Sequence, residues 1–218
     1  MKTFFFSLAL MASSSIAIAQ IPNAGFETWS NTSGFNTPEG WDNLNSMTAS
    51  SNVYTCTKGT PGSTGSAYLK LVSKAVTGMG VMPGIAVSGM LDMATMKPMS
   101  GFPYNARPTS LTGKWQYMAT GADQGYIAIY LTRWDAGMGM RDTIGKAKKL
   151  LPGMAMSWAT FTLPVVYSSQ DFPDSCQIVF SASGNTPVAT SYLYIDGLSF
   201  TGVVTANKEV ETRSAFKV

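Results

Sequence analysis

The sequence predicts an all-β protein folded as one antiparallel β-sandwich, and two observations carry this prediction. Short alternating segments rich in Val, Ile, Tyr, Phe, Trp and Thr recur between turns rich in Gly, Pro, Asn and Ser, which is typical of strands and hairpins. After Gln20 no segment keeps a helical period over several turns. The predicted strands cover residues 67–74, 84–91, 111–118, 125–134, 158–167, 176–183 and 192–200. Seven strands in a chain of 218 residues favour a single domain over two.

The composition excludes several classes of function. The chain contains no histidine, which excludes histidine general bases, Ser-His-Asp triads and histidine-ligated metals. With two cysteines and no histidine, a zinc site is not expected either. The formal net charge is +3, and the lysines and arginines form no cluster of the size that nucleic-acid binding needs. We therefore expect no nucleic-acid partner.

Residues 1–19 have the pattern of a cleavable secretory signal peptide. Lys2 supplies the positive charge, an apolar stretch follows, and Ala17-Ile18-Ala19 matches a cleavage site of the A-x-A type. The apolar stretch is too short to span a bilayer, so no membrane insertion is expected. No cysteine that could carry a lipid follows the cleavage site. We expect a protein that is secreted, periplasmic or at the cell surface, and that is not a lipoprotein.

The rest of the chain divides into a domain and a tail. Residues 20–202 carry the strand pattern, whereas residues 203–218 are polar and charged without alternation and are predicted to be a flexible tail. Within the domain, helix is expected to amount to a turn or two at most, near residues 143–150. Several lysines gather in that segment and are interpreted as part of a solvated loop.

The chain has two cysteines, Cys56 and Cys176. Export would permit a disulfide, and each cysteine lies in a strand-like segment, so the two could be neighbours in a sandwich. The alternative is two separate buried thiols that act as small hydrophobic side chains. The sequence leaves both alternatives open, with Cys56 and Cys176 as the disulfide candidate.

Both ends of the domain carry a recognisable motif. The motifs are Asn23-Ala24-Gly25-Phe26-Glu27-Thr28-Trp29 with Pro38-Glu39-Gly40-Trp41 near the start, and Ser191-Tyr192-Leu193-Tyr194-Ile195-Asp196 near the end. This pairing resembles jelly-roll carbohydrate-binding modules that are stabilised by calcium. With the segments 102–108, 111–117, 158–161, 164–167 and 178–183 in between, the chain is similar to the PCMD family, a carbohydrate metabolism domain. The resemblance implies a jelly-roll β-sandwich, galactose-binding-like in its architecture, on an exported protein linked to glycans.

The resemblance also implies a structural calcium ion. In the resembling modules, the positions of Glu27 and Asp196 supply carboxylate oxygens to a calcium where the first and last strands meet. Calcium takes several oxygen ligands, and backbone carbonyls can complete such a shell. The alternative is that Glu27 accepts hydrogen bonds from backbone amides and that Asp196 shapes a turn with Gly197.

The predicted strand 125–134 offers a platform for a sugar. Its aliphatic residues at 127, 129 and 131 alternate and are expected in the core. The opposite face then carries the predicted ligand-binding residues Tyr126, Tyr130 and Trp134, with Asp135 at the strand end. Aromatic faces stack on the C–H groups of pyranose rings, and flanking polar groups bind the hydroxyls. The alternative is that a loop covers this face and that the aromatic residues are ordinary packing.

A series of methionines is the unusual feature of the sequence. Met90, Met93, Met96 and Met99 are spaced by three residues. Thioethers can bind Cu(I), but this spacing aligns the sulfur atoms only on a helix, and Pro98 keeps any helix there short. Adaptable packing is the preferred interpretation.

The sequence therefore predicts an exported, non-catalytic module that binds a glycan. The first alternative is a structural or adhesive cell-surface protein that contacts another protein, and the second is a glycoside-active enzyme. A glycosidase needs two carboxyl groups that face one cleft. The acid pairs considered are Asp135 with Asp142 and Asp171 with Asp174, and turn capping explains all four without a catalytic role.

Overall fold

The structure, a computed structural model, describes residues 20–32, 34–95 and 97–205. The predicted signal peptide and residues 206–218 of the predicted tail lie outside this part of the chain. Helix α1 (Asn45–Thr48) and the 3-10 helix η1 (Ala49–Ser51) are short, and no helix in the described ranges is long and apolar enough to cross a membrane. The strands are β1 (Trp29–Thr32), β2 (Phe35–Pro38), β3 (Trp41–Asn43), β4 (Cys56–Gly59), β5 (Tyr68–Val72), β6 (Lys74–Val76), β7 (Gly80–Met82), β8 (Ile85–Ser88), β9 (Met90–Asp92), β10 (Lys97–Ser100), β11 (Phe102–Pro103), β12 (Ala106–Arg107), β13 (Ser110–Met118), β14 (Tyr126–Asp135), β15 (Met140–Leu150), β16 (Met154–Pro164), β17 (Val166–Tyr167), β18 (Ser175–Ser181), β19 (Tyr192–Thr201) and β20 (Val204–Thr205).

Two antiparallel sheets form the sandwich. The five-stranded sheet has the order β16-β13-β19-β5-β4, and the seven-stranded sheet has the order β17-β15-β14-β18-β8-β3 with β11 paired to β18. Eight strands are shared between the sheets in jelly-roll order: β16-β13-β19-β5 lie side by side in one, and β15-β14-β18-β8 in the other. The predicted all-β antiparallel jelly-roll sandwich is confirmed.

The main core lies between the two sheets and follows the period of two that strands impose. Leu69 and Leu71 of β5 and Leu193 and Ile195 of β19 are fully buried there. The three aliphatic residues of β14, at positions 127, 129 and 131, are fully buried in the same core, as the alternation predicts. Each such side chain contributes about 1.5–3 kcal/mol relative to an exposed one. The residues in between therefore face outward from their sheet.

A second core covers the outer face of the seven-stranded sheet. Ile85 and Val87 of β8 and Val179 of β18 are buried on that side. They pack under Met82 and Leu91, which come from the hairpins β6–β7 and β9–β10, and under the segment around α1. The seven-stranded sheet is therefore buried on both faces over its central strands.

Residues 143–150 form neither a helix nor a loop, contrary to the sequence prediction. They belong to β15, which pairs with β14 along its whole length. Gly145 and Ala147 occupy core-side positions, and both residue types are weak β formers. The segment therefore lacks the apolar alternation that is typical of a strand, and its lysines resemble a solvated loop. Lys148 faces the outer side, where its Nζ atom lies 4.1 Å from the ring centroid of Tyr126.

The C-terminal boundary of the domain lies beyond the predicted residue 202. Val204 and Thr205 form β20, which pairs antiparallel with β12. Residues 203–205 were predicted to be part of a flexible tail, and the pairing instead connects them to the domain.

Cys56 and Cys176 are both fully buried and both carry free thiols. Cys56 lies on β4 of the five-stranded sheet and Cys176 on β18 of the seven-stranded sheet. The disulfide candidate is therefore not formed, and the alternative of two separate buried thiols describes the structure. Burial raises the pKa of both thiols.

The methionine series lies in a hairpin rather than in a helix, because β9 pairs antiparallel with β10. Met93 packs against the second core, whereas Met90 and Met99 are exposed. Met96 lies outside the described residues. The spacing of three therefore does not align the sulfur atoms, and the packing interpretation describes Met93.

Asp123 holds the connection between β18 and β19. One carboxylate oxygen accepts hydrogen bonds from the Ser183 hydroxyl (2.6 Å) and the Val188 amide (3.1 Å), and the other accepts one from the Gly184 amide (3.0 Å). Burial raises the pKa of Asp123, but these hydrogen bonds lower it by more, so its pKa lies below the ordinary value of 3.8. Ionised Asp123 therefore stabilises the fold.

We expect Asp123→Asn to lower the free energy of unfolding by about 1.5–3 kcal/mol at pH 7, because hydrogen bonds to a charged acceptor are lost. The folded pKa lies below the unfolded value, so the contribution is full well above pH 3.8 and declines as the pH falls through the folded pKa. Urea unfolding of both proteins between pH 7 and pH 3 measures this. Asp142→Asn, a change at an exposed acid, is the control. An Asp123→Asn deficit that stays constant down to pH 3 would contradict the account.

Candidate functional site

The aromatic residues predicted on β14 do not form one open platform. Tyr126 and Tyr130 pack against the second core, and the Lys148 side chain lies over the ring of Tyr126. Burial raises the pKa of Tyr126. Trp134, at the strand end, keeps 51% of its surface exposed. The covering alternative describes the two tyrosines, while a binding role for Trp134 stays a prediction.

Trp134 and Asp135 lie at an open cavity of about 420 Å³ beside the β14–β15 turn. The residues that line this cavity are Arg133, Trp134, Asp135, Ala136, Gly137, Asp142, Ile144 and Asp171. Asp135 accepts hydrogen bonds from two amides of the turn, at 2.8 and 3.2 Å. Asp171 forms an ion pair with Arg133 at 2.9 Å. Two of the three carboxylates in the cavity therefore already have partners that hold the local structure.

A second group of aromatic residues lies on the outer face of the five-stranded sheet. We call the aromatic face the four half-buried residues Tyr68 of β5, Trp158 of β16, and Tyr192 and Tyr194 of β19. Their rings form a continuous row, with centroid distances of 5.3 Å from Trp158 to Tyr68, 5.1 Å from Tyr68 to Tyr194, and 4.5 Å from Tyr194 to Tyr192. Tyr68, Tyr192 and Tyr194 each stand next to a buried residue of the main core, so the strand alternation directs them outward. The ring contact with Tyr68 places Trp158 on the same side of the sheet.

The ring distances indicate that the aromatic face is concave. Strands β16 and β5 are separated by β13 and β19, so on a flat sheet their backbones would lie about 14 Å apart. The ring of Tyr68 packs on the bare backbone of Gly59 in β4, because a Cβ there would overlap the ring. Tyr68 therefore cannot lean towards Trp158, which comes from the opposite edge. Their rings still approach to 5.3 Å because the sheet curves around its outer face.

Hydrogen-bonding groups surround the ring row. The Lys70 Nζ atom lies 5.6 Å from the ring centroid of Tyr194, and Gln116 stands opposite Tyr194 on the neighbouring strand β13. The Lys114 ammonium donates a hydrogen bond to the Thr160 hydroxyl at 2.8 Å. The face thus combines apolar ring surface with donors and acceptors at its sides.

The hydroxyls of Tyr68 and Tyr194 stay protonated at neutral pH. Burial raises the pKa of Tyr68, and the neighbouring Tyr192 raises it further. Burial likewise raises the pKa of Tyr194, and the neighbouring Tyr68 and Tyr192 raise it further. Neutral phenols can both donate and accept hydrogen bonds, which suits a partner rich in hydroxyl groups.

Glu27 binds the connection between β4 and β5 through hydrogen bonds. Its carboxylate accepts hydrogen bonds from the Ser66 amide (2.8 Å), the Ser66 hydroxyl (2.5 Å) and the Ala67 amide (3.1 Å). These bonds, the Ser66 hydroxyl first, lower the pKa of Glu27. This is the contact that the alternative to calcium binding predicted for Glu27.

Asp196 holds the same connection from the other side and is fully buried. It accepts hydrogen bonds from the Thr64 amide (2.9 Å) and the Gly197 amide (2.7 Å). A Cβ on Gly62 would lie 2.5 Å from the Thr64 carbonyl, 2.6 Å from the Ala67 carbonyl and 3.1 Å from Asp196 Oδ2, so three oxygens surround that glycine. Carboxylate and carbonyl oxygens are the ligands that calcium prefers, so the donor chemistry of this corner fits calcium. Among the described residues, no group of three acidic, histidine or cysteine side chains could hold a metal by side chains alone.

The aromatic face is not among the predicted sites, although the sequence contains part of its signal. Tyr192 and Tyr194 alternate with Leu193 and Ile195 in the motif at the end of the domain. That alternation places two aromatic rings on the non-core face of a strand.

Comparison with solved structures gives two clear likenesses. A protein named a "putative glycoside hydrolase" from Bacteroides thetaiotaomicron superposes with a TM-score of 0.64 and 19% identity, over 88% of this chain and 72% of that chain. A protein of the same name from Bacteroides vulgatus superposes with a TM-score of 0.61 and 16% identity, over 81% of this chain and 96% of that chain. At these identities the likeness establishes a shared fold and nothing about activity.

Other comparisons are weaker. A carbohydrate-binding module specific for non-crystalline cellulose, CBM28, gives a TM-score of 0.43 with 13% identity over 89% of this chain and 100% of that chain, which is too low to argue from. No family model matches the chain, and no curated protein matches it. The resemblance to the PCMD family therefore stays a prediction. Fold and site together define a jelly-roll sandwich with a concave aromatic sheet face.

Proposed function

We propose that this protein is a non-catalytic carbohydrate-binding module whose binding surface is the aromatic face. The observation that carries the proposal is the continuous concave row of four rings on the outer side of the five-stranded sheet. Pyranose rings present patches of C–H groups that stack on aromatic faces. Their hydroxyls need donors and acceptors at the sides, which Lys70, Gln116 and Thr160 supply. The predicted signal peptide supports a place outside the cytoplasm, where polysaccharides are met.

A hydrolytic function has less support. The cavity beside Trp134 gathers Asp135, Asp142 and Asp171, but Asp135 is bound by turn amides and Asp171 by Arg133. A glycosidase needs one carboxyl group free to donate a proton and a second one free to attack or to activate water. The engaged carboxylates fit a structural role better.

Calcium at the corner between Glu27 and Asp196 is part of the proposal. The two carboxylates, with the carbonyl oxygens of Thr64 and Ala67, would hold the ion. When bound, calcium would neutralise the acids and fix the β4–β5 connection. That connection leads directly into Tyr68 at the start of β5, so the ion would stabilise one end of the aromatic face.

We expect Trp158→Ala and Tyr194→Ala each to weaken glycan binding at least about tenfold, because a few large aromatic side chains carry most of the binding energy of an interface. A glycan array identifies the ligand, and calorimetry on the identified oligosaccharide measures the affinity. Trp158→Phe keeps a ring at the position and should retain most of the binding. Thermal melting checks that each variant is folded.

Trp134→Ala is the matched control, because it removes an exposed tryptophan from the other sheet. It should bind the glycan like the wild type. Loss of binding in Trp134→Ala with none in Trp158→Ala would move the site to β14 and contradict the proposal. An array without any hit would favour the alternative in which the protein contacts another protein.

We expect EDTA to lower the melting temperature of the wild type, and added calcium to restore it, because the ion would link the two carboxylates to the β4–β5 connection. Glu27→Gln should have a lower melting temperature that EDTA does not change further. An unchanged wild-type melt, with no calcium found by elemental analysis, would remove calcium from the account and leave the hydrogen bonds of Glu27 and Asp196 as the whole of their role.

A further inference from the structure

We propose that the glycan held on the aromatic face is an acidic polysaccharide, one whose sugars carry carboxylate groups. This inference rests on the proposed function and adds the chemical class of the ligand. It follows from the charges that border the four rings.

The charged side chains on the outer face of the five-stranded sheet are mainly lysines. Lys70 of β5 lies beside Tyr194, and Lys114 of β13 lies beside Thr160. The one carboxylate on the strands of this face is Asp196, opposite Lys114 in register. Glu27 lies at the corner of the face, where the amides of Ser66 and Ala67 hold its carboxylate. Asp196 is fully buried and is held by the amides of Thr64 and Gly197, so it is not presented to a ligand.

The two lysines have no acidic partner within the described part of the chain. The ion pairs found there join Arg133 to Asp171 and Arg141 to Asp174, and both lie on the other sheet or its edge. Lys114 bonds a neutral hydroxyl rather than the carboxylate opposite it. Neither ammonium group beside the rings is therefore held in an ion pair.

A nearby group responds to this charge. Lys74 begins β6, just beyond the end of β5, and burial lowers its pKa. The positive charge of Lys70 lowers the pKa of Lys74 further. A bound carboxylate would relieve this repulsion between two ammonium groups, since opposite charges attract where like charges repel.

The geometry offers both parts of an acidic sugar a partner. The C–H surface of the ring stacks on the tyrosines and Trp158, and a carboxylate at the side of that ring reaches Lys70 or Lys114. Because both lysines are at the surface, each contributes modestly and in a salt-dependent way. The preference for an acidic ligand therefore appears as a difference in affinity between charged and neutral polymers with the same sugar backbone.

The test uses the mature chain with three acidic probes, polygalacturonate, alginate and hyaluronate. Fully methyl-esterified polygalacturonate is the neutral control, because it has the same sugar backbone as polygalacturonate without the charge. We expect at least one acidic probe to bind, more tightly than a neutral probe, with an affinity that falls as salt rises from 50 to 500 mM. The double variant Lys70→Gln/Lys114→Gln should bind that probe about five- to tenfold more weakly. Lys148→Gln, which removes a charge from the other sheet, should bind like the wild type.

Three results would overturn the inference: tighter binding of neutral than of acidic polymers, no effect of salt, or no loss in the double lysine variant. If a neutral oligosaccharide binds and Trp158→Ala abolishes that binding, the aromatic face remains the glycan site while the acidic class is refuted. If neither acidic nor neutral polymers bind, the inference and the proposed function fail together.

Discussion

The structure depends on the burial of both faces of the seven-stranded sheet. Its strands β8 and β18 carry aliphatic side chains on the inner and the outer side, so one sandwich core cannot cover them. Helix α1 and the hairpins β6–β7 and β9–β10 fold over the outer side and cover its aliphatic side chains. Leaving these aliphatic side chains in water would cost about 1.5–3 kcal/mol each. The covering segments therefore belong to the fold, and they cover the outer side of the central strands of this sheet.

The need to bury apolar side chains also shapes the five-stranded sheet, but there it applies to one face only. Its strands bury one side only, so the outer side is free to carry aromatic residues and lysines. The face is concave because the sheet curves, and Gly59 leaves room for the ring of Tyr68 beside β4. Glu27 and Asp196 fix the connection that leads into Tyr68. The concave face is thus built by the sheet and bordered by a corner where the start and the end of the domain meet.

The sequence was sufficient to predict the fold class and the inner face of β14, because alternation is a local property. It was not sufficient to predict the outer face of β14, which is covered by segments distant in sequence. The continuous apolar run 178–180 indicates a strand that is buried on both faces. That Tyr126 is covered as well follows only from the pairing of β18 with β14, which the sequence does not show. Likewise, Tyr192 and Tyr194 could be found by alternation, whereas Trp158 joins them through the curvature of the sheet. Strand β15 was not predicted, because a charged outer face and small inner residues resemble a loop.

Binding of a glycan to the aromatic face can be tested directly with the five tryptophans as reporters. Their side-chain N–H groups can be followed in ¹H–¹⁵N spectra while a glycan that the protein binds is added. Trp158 lies on the aromatic face, and Trp134 lies exposed on the other sheet. If the glycan binds on the aromatic face, the Trp158 signal moves in a saturable way while the Trp134 signal stays in place. Movement of Trp134 with an unchanged Trp158 would contradict it and place the ligand on the seven-stranded sheet.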